Sequence, residues 1–154
     1  MAGIKERCEA SFAEFLEAID GVTEAEAGAF RIPNWPTHEW HAGEDGSIAG
    51  LAWHVAVWKG VYLSALRTGS FGDRSRMRPD EDTWAGRTDW LRRTHASLME
   101  YLARLEASGV ETLTVDNRER RLSAIFADDF TEHDRYHAAQ VWYLRQRYRA
   151  EHGE

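Results

Sequence analysis

The chain has 154 residues, of which 43% are hydrophobic and 29% charged, and its formal net charge is −7. That length is enough for one buried core, and residues 1–154 read as a single domain. The negative charge removes the general attraction to phosphate backbones on which nucleic-acid binders rely. No stretch of about 18 apolar residues is present, so no membrane span is expected.

The first helix is expected over Ile4–Ile19. Ile4, Cys8, Phe12, Phe15, Leu16 and Ile19 recur at spacings of three and four, which puts them on one face. Gly21 is a stop signal, and Thr23 with Glu24 and Glu26 can start a short extra turn. Cys8 is the one cysteine. It excludes an internal disulfide, suits a reducing cytoplasm, and reads as inert core. The Met1–Arg7 segment has no apolar run of the signal-peptide kind.

Phe30–Gly46 contains Pro33, Pro36, Gly43 and Gly46 and reads as an ordered loop anchored by Trp35 and Trp40. Asp45 or Ser47 can cap a second helix reaching about Leu66. Its face is Leu51, His54, Val55, Trp58, Val61, Tyr62 and Leu66. Gly69–Asp82 is a polar loop. A third helix is expected from about Thr88 to Ala107 on Leu91, Leu98, Leu102 and Leu105, with Gly109 ending it. Thr112–Val115 is weakly strand-like and Asp116-Asn117 is a turn signal, so a short hairpin fits here. The fourth long helix is expected from Ser123, as N-cap, to about Tyr148, with Ile125, Phe126, Phe130, His133, His137, Val141 and Leu144 along one side. The basic clusters Arg74–Arg78 and Arg118–Arg121 fall in apparent connecting segments and read as solvated loops. The functional alternative is contact with an acidic substrate.

Four long helices make an all-α four-helix bundle the simplest architecture. Such bundles build metal sites from side chains that face inward on neighbouring helices. His133 and His137 form an H-x-x-x-H pair, and residues four apart share a helix face. Both can reach one ion at about 2.0–2.1 Å, the usual zinc–nitrogen distance. Asp134 stands where the H-E-x-x-H protease signature has Glu, which argues against a zincin. The bland alternative is a pair of partly exposed histidines. His54 lies on an apolar face between Leu51 and Trp58, where it is either a hydrogen-bonded core histidine or a third ligand. Histidines on core faces are costly unless their ring nitrogens find partners, and a shared metal satisfies all three.

The segment from Ile48 through His54 to Trp58 resembles the second helix of the DinB/YfiT-like family. The segment from Glu132 through His133 and His137 to Gln140 resembles that family's last-helix signature. The likeness extends over nearly the whole chain, including the Trp/Pro-rich loop. It implies a four-helix bundle whose His triad, by position His54, His133 and His137, binds one divalent metal ion, commonly zinc or nickel. It also implies a homodimer and a small-molecule substrate. Characterised members include S-transferases and isomerases that use a low-molecular-weight thiol (bacillithiol, mycothiol or glutathione) as co-substrate, and hydrolases that inactivate reactive metabolites.

Three neutral protein ligands and an open position are the pattern of a catalytic zinc. Such an ion activates water or a coordinated thiol. The leading expectation is a metal-dependent, thiol-using transferase or isomerase acting on a small electrophile, in a detoxification role. The alternatives are a metal-dependent hydrolase and a non-catalytic metal or small-ligand binding module. Hydrolysis needs an acid or base, for which Asp129, Glu132 and Asp134 are near in sequence; a solvated helix face is the simpler reading of each. Asp129, four before His133, can accept the second ring N–H of that ligand. Gln140 either hydrogen-bonds a ligand or packs beside the last turn. His95 is a core histidine or a further metal neighbour. His38 and His41 read as loop histidines at a pocket rim or on the surface, and His152 as a terminal residue. Trp53, Trp58, Trp142, Tyr62 and Tyr136 divide between core and pocket lining.

Overall fold

A computed structural model describes residues 3–36, 43–126 and 130–153. The protein is mostly helical, with one small two-stranded sheet. Helix α1 spans Ile4–Ile19 and buries Cys8, Phe12, Phe15 and Ile19. Helix α2 is one short piece, Glu24–Ala29, whose first turn is capped by the Thr23 hydroxyl. Helix α3 spans Ile48–Thr68; Ser47 caps it by accepting from Gly50 N, and Gly69 closes it at φ 75°. The left-handed conformation at a helix end costs glycine nothing sterically.

Helix α4 runs over Trp84–Ala107, capped by Thr83. It therefore begins a turn before the expected Thr88. Its first turn has no apolar stripe to announce it, and Trp84 is fixed instead by its indole N–H donating to Val22 O at 2.8 Å. The hairpin is present. Strand β1 (Thr112–Val115) pairs antiparallel with β2 (Arg118–Arg121), Val115 opposite Arg118. Asp116 and Asn117 hold φ of 48° and 61°, the left-handed pair that a two-residue hairpin turn requires. The Arg118–Arg121 cluster thus lies in a strand and not in a loop.

Within the span expected for the fourth helix, the described residues form two α-helical segments. Helix α5 covers Leu122–Phe126 and helix α6 covers Glu132–His152. Ser123 lies inside α5 and caps nothing. Phe130 and Thr131, ahead of α6, have the wider π-helical turn, and the Thr131 hydroxyl donates back to Phe126 O at 3.2 Å. A π-turn adds a residue without giving up backbone bonding and is common next to functional sites. The apolar run through Ile125, Phe126 and Phe130 is continuous in sequence, so the π-turn does not announce itself there.

Helix α3 packs most extensively on α4, and α1 on α6, while α3 also meets α6. One buried cluster holds Phe12, Phe15, Ile48, Leu51, Val55, Leu91, Val141 and Leu144. A second holds Cys8, Leu98, Leu102, Leu122, Phe126 and Phe130. Between them lies an ion pair out of reach of water. Lys59 Nζ on α3 meets Asp134 Oδ2 on α6 at 2.7 Å, with side-chain exposures of 1% and 0%. The ammonium sits over Phe12 at 4.7 Å and Phe130 at 5.3 Å, one ring from each cluster. Arg145 pins α6 to the start of the chain by pairing with Glu26 at 3.2 Å and donating to Ala18 O. No helix among the described residues is long and apolar enough to cross a membrane.

Candidate metal centre

The site is built where α3 passes α6. His54 comes from α3, two turns after the Ser47 cap. His133 and His137 come from the first turns of α6 and lie on one face because they are four apart. His54 and His133 are half-buried and His137 is buried. His54 Nε2 is 3.1 Å from His133 Nε2, and His137 Nε2 is 3.2 Å from the same atom. Three ligand atoms, one from each ring, lie within 4.8 Å of one another, so these histidines can hold a metal ion. The two measured edges are close to the roughly 3.3 Å expected between nitrogens about 2.05 Å from a tetrahedral ion.

The outer ring nitrogens decide which way the lone pairs point. His54 Nδ1 lies 2.8 Å from Glu44 Oε2. An ionised carboxylate only accepts, so Nδ1 carries the proton and Nε2 carries the lone pair. His137 Nδ1 lies 2.7 Å from Gln140 Oε1, with the same consequence. Two Nε2 lone pairs therefore face His133 Nε2. A single N–H on His133 can satisfy only one of them, whereas one cation satisfies all three rings. Partners on the outer nitrogen that fix the tautomer and aim of a ligating imidazole are the usual accompaniment of a metal site.

Burial keeps the His133 and His137 rings neutral. It pulls the His133 pKa down to about 2, helped by the positive forms of His137, His54 and Lys59. His137 is pulled down to about 3, again mainly by burial and then by His54, with Gln140 opposing. Neutral imidazole is the form that binds metal.

The Gly43–Ser47 segment fixes Glu44. A Cβ at Gly43 would meet the Trp53 indole at 2.1 Å, and one at Gly46 (φ 75°) would meet Trp35 at 2.7 Å. The close approach is what lets Trp35 Nε1 donate to Glu44 O at 2.8 Å and Ile32 N to Gly46 O at 2.9 Å. The Trp35 ring then stands edge-on to His54 and His137, at 5.6 and 6.1 Å. Glu44 itself is only 3% exposed.

No family model matches the chain, and neither a curated protein nor a solved structure does so. The site is thus described by its own geometry.

Most residues singled out in the sequence lie among the described residues. Gln140 touches His137. Trp58 stands 6.2 Å from the His54 ring and 6.4 Å from His133. His95 lies outside the three-histidine group: it is buried, stacks on Phe12 at 3.7 Å and leaves Nδ1 without a partner among the described residues. Burial, and then Lys59, hold its pKa down to about 2. Asp134 is not on a solvated face as expected but wholly buried against Lys59, while Glu132 is exposed. Burial raises the Asp134 carboxyl, and Lys59 and Ser11 only partly offset that. Tyr62 packs near Trp58, and Tyr136 is exposed with its edge 5.1 Å from His137. Trp53 packs on Trp90, away from the triad, and Trp142 is exposed. Asp129, His38, His41 and Trp40 lie outside the described residues. Sequence reasoning missed Glu44 and Lys59. For Glu44 the available signal was an acid beside the helix cap that precedes His54; for Lys59 it was a lone cation in the apolar run of α3.

Proposed function

We propose that the chain is a DinB/YfiT-like four-helix bundle that binds one divalent ion, zinc or nickel, through the Nε2 atoms of His54, His133 and His137, and uses it to join a low-molecular-weight thiol to a small electrophile. The observation that carries this reading is the outer-nitrogen pairing: Glu44 and Gln140 occupy Nδ1 of two rings, which aims two lone pairs at the third ring. A metal with three neutral ligands keeps its full charge and an open position, and it stabilises a thiolate at neutral pH.

The chain's own residues would then do three things. Glu44 and Gln140 hold the imidazoles in the ligating tautomer. Trp35 and Trp58 wall the triad and limit access of water. Lys59 pairs with the buried Asp134 carboxylate at 2.7 Å. Of the carboxylates described at the triad, Glu44 is committed to His54 and Asp134 to Lys59. Thiolate chemistry, which needs no general base once the thiol has ionised, fits this arrangement better than hydrolysis. The exposed aromatics of α6, Tyr136, Trp142 and Tyr143, support the homodimer reading.

The test is spectroscopic. Cobalt-loaded protein is titrated with glutathione, mycothiol and bacillithiol, and with azide as a control for an open position. A sulfur-to-cobalt charge-transfer band with at least one thiol is the expected result. A cobalt site that responds to azide and to none of the thiols would remove the thiol reading and leave the metal.

A further inference from the structure

Beside the triad is a small apolar slot with a volume of about 150 Å³, lined by Trp58, Tyr62, Phe130 and His133. Its walls are set by aromatic packing. Tyr62 stands edge-on to Phe130 at 4.8 Å and to Phe71 at 5.3 Å, and Trp58 lies 6.1 Å from Tyr62. The Arg74 guanidinium lies 3.9 Å over the Trp58 ring, which restrains that wall. Phe130 is buried and stacked on Phe126, so the floor belongs to the core and is held by it. Among the described residues, three walls are apolar or amphipathic. The fourth is His133, one of the three rings that converge on the metal position.

Volume and lining select the occupant. A pocket of about 150 Å³ has room for one benzene-sized group, and this one opens to solvent on one side. Aromatic walls favour a planar ring, by edge and face contacts beyond simple area burial. A cellular thiol has a polar, charged body that gains nothing from such walls, whereas its sulfur needs only the open metal position. The slot is therefore left for the other reactant.

We infer that the slot is the specificity pocket of the metal centre and takes an electrophile whose reacting group is carried on a single aromatic or similarly sized apolar ring. This rests on the metal reading above. The ring would seat between Trp58, Tyr62 and Phe130, and its substituent would emerge at His133, beside the metal position. The aromatic walls favour a single ring over a polar small acid without one.

Cobalt-loaded protein titrated with acetohydroxamate and with benzohydroxamate tests this, because the two probes share a metal-binding head and differ by the ring. Both should perturb the cobalt absorption, and benzohydroxamate should bind at least tenfold more tightly. The preference should fall below threefold in Tyr62→Ala and, as a second variant should that one fail to fold, in Trp58→Leu. With zinc-loaded protein, the probe's ring protons should give cross-relaxation to the Tyr62 and Phe130 rings. Equal affinities for the two probes on a site that has taken up cobalt would overturn the slot and leave the metal reading standing. Failure to take up cobalt at all would overturn both, and is seen before any probe is added.

Discussion

Replacing Lys59 with methionine removes the positive half of an ion pair that water does not reach. The ammonium and the Asp134 carboxylate are 2.7 Å apart at exposures of 1% and 0%. At an effective dielectric of about 20 their attraction is about 6 kcal/mol. Desolvation costs several kcal/mol for each ion, so the intact pair contributes little net stability. Breaking it is another matter, because Lys59→Met strands a buried carboxylate between the two core clusters. The expected cost is about 3–5 kcal/mol, roughly a fifth or more of the stability of a typical domain. Lys59→Met/Asp134→Leu removes both charges and should return to within about 1 kcal/mol of the parent, or exceed it. Urea unfolding of the metal-free proteins, followed by far-ultraviolet circular dichroism, gives the three values. The reasoning fails if Lys59→Met costs less than about 1 kcal/mol, below the range for a broken buried pair, or if the double variant is no better than the single one.

Glu44→Gln keeps the shape but removes the carboxylate that orders the His54 tautomer, and it should weaken zinc affinity about 10–100-fold; competition with a chromogenic chelator measures this, and an unchanged affinity would separate Glu44 from the site. His95→Phe removes a buried nitrogen that lacks a partner while keeping the stack on Phe12. It should leave metal stoichiometry unchanged and stability equal or higher, by up to about 1–3 kcal/mol; loss of metal would make His95 a ligand after all. Cys8 is 1% exposed and burial pushes its thiol from 9.0 up to about 11. Iodoacetamide at pH 8 should therefore label it only as fast as the chain unfolds. Because the folded pKa is the higher one, the stabilising contribution is complete below pH 9 and is lost between 9 and about 11; the alkaline fall of the urea midpoint should be shallower in Cys8→Ala.

The parts of this protein that were legible in sequence are those where one local rule acts alone. Helix α1 shows its three-and-four spacing over its whole length. Ser47 is a good cap followed by a long apolar stretch, and Asp116-Asn117 marks a two-residue hairpin turn. His54, His133 and His137 stand out because each occupies a position where the helix pattern calls for an apolar side chain. What was not legible depends on partners distant in sequence or on a local exception. The π-turn at Phe130 and Thr131 leaves the apolar pattern unbroken, so it does not show in the sequence. Thr83 caps α4 ahead of a first turn in which Trp84 is bonded to Val22, a partner distant in sequence. Lys59 and Asp134 each look like a solvated charge until α3 and α6 are brought together. Glu44 lies in a loop, where spacing fixes no geometry, and its role comes from the tight packing of Gly43 on Trp53 and Gly46 on Trp35.

The central claim is that three convergent Nε2 atoms hold one metal ion. The most direct measurement is metal content per chain by mass spectrometry, on protein purified without a polyhistidine tag and after dialysis against zinc or nickel, for the parent and for His54→Ala, His133→Ala and His137→Ala. The account predicts about one ion per chain in the parent and loss of tight binding in each variant with the helical fold retained. A parent that takes up no divalent ion, or variants that bind as well as the parent, would contradict it.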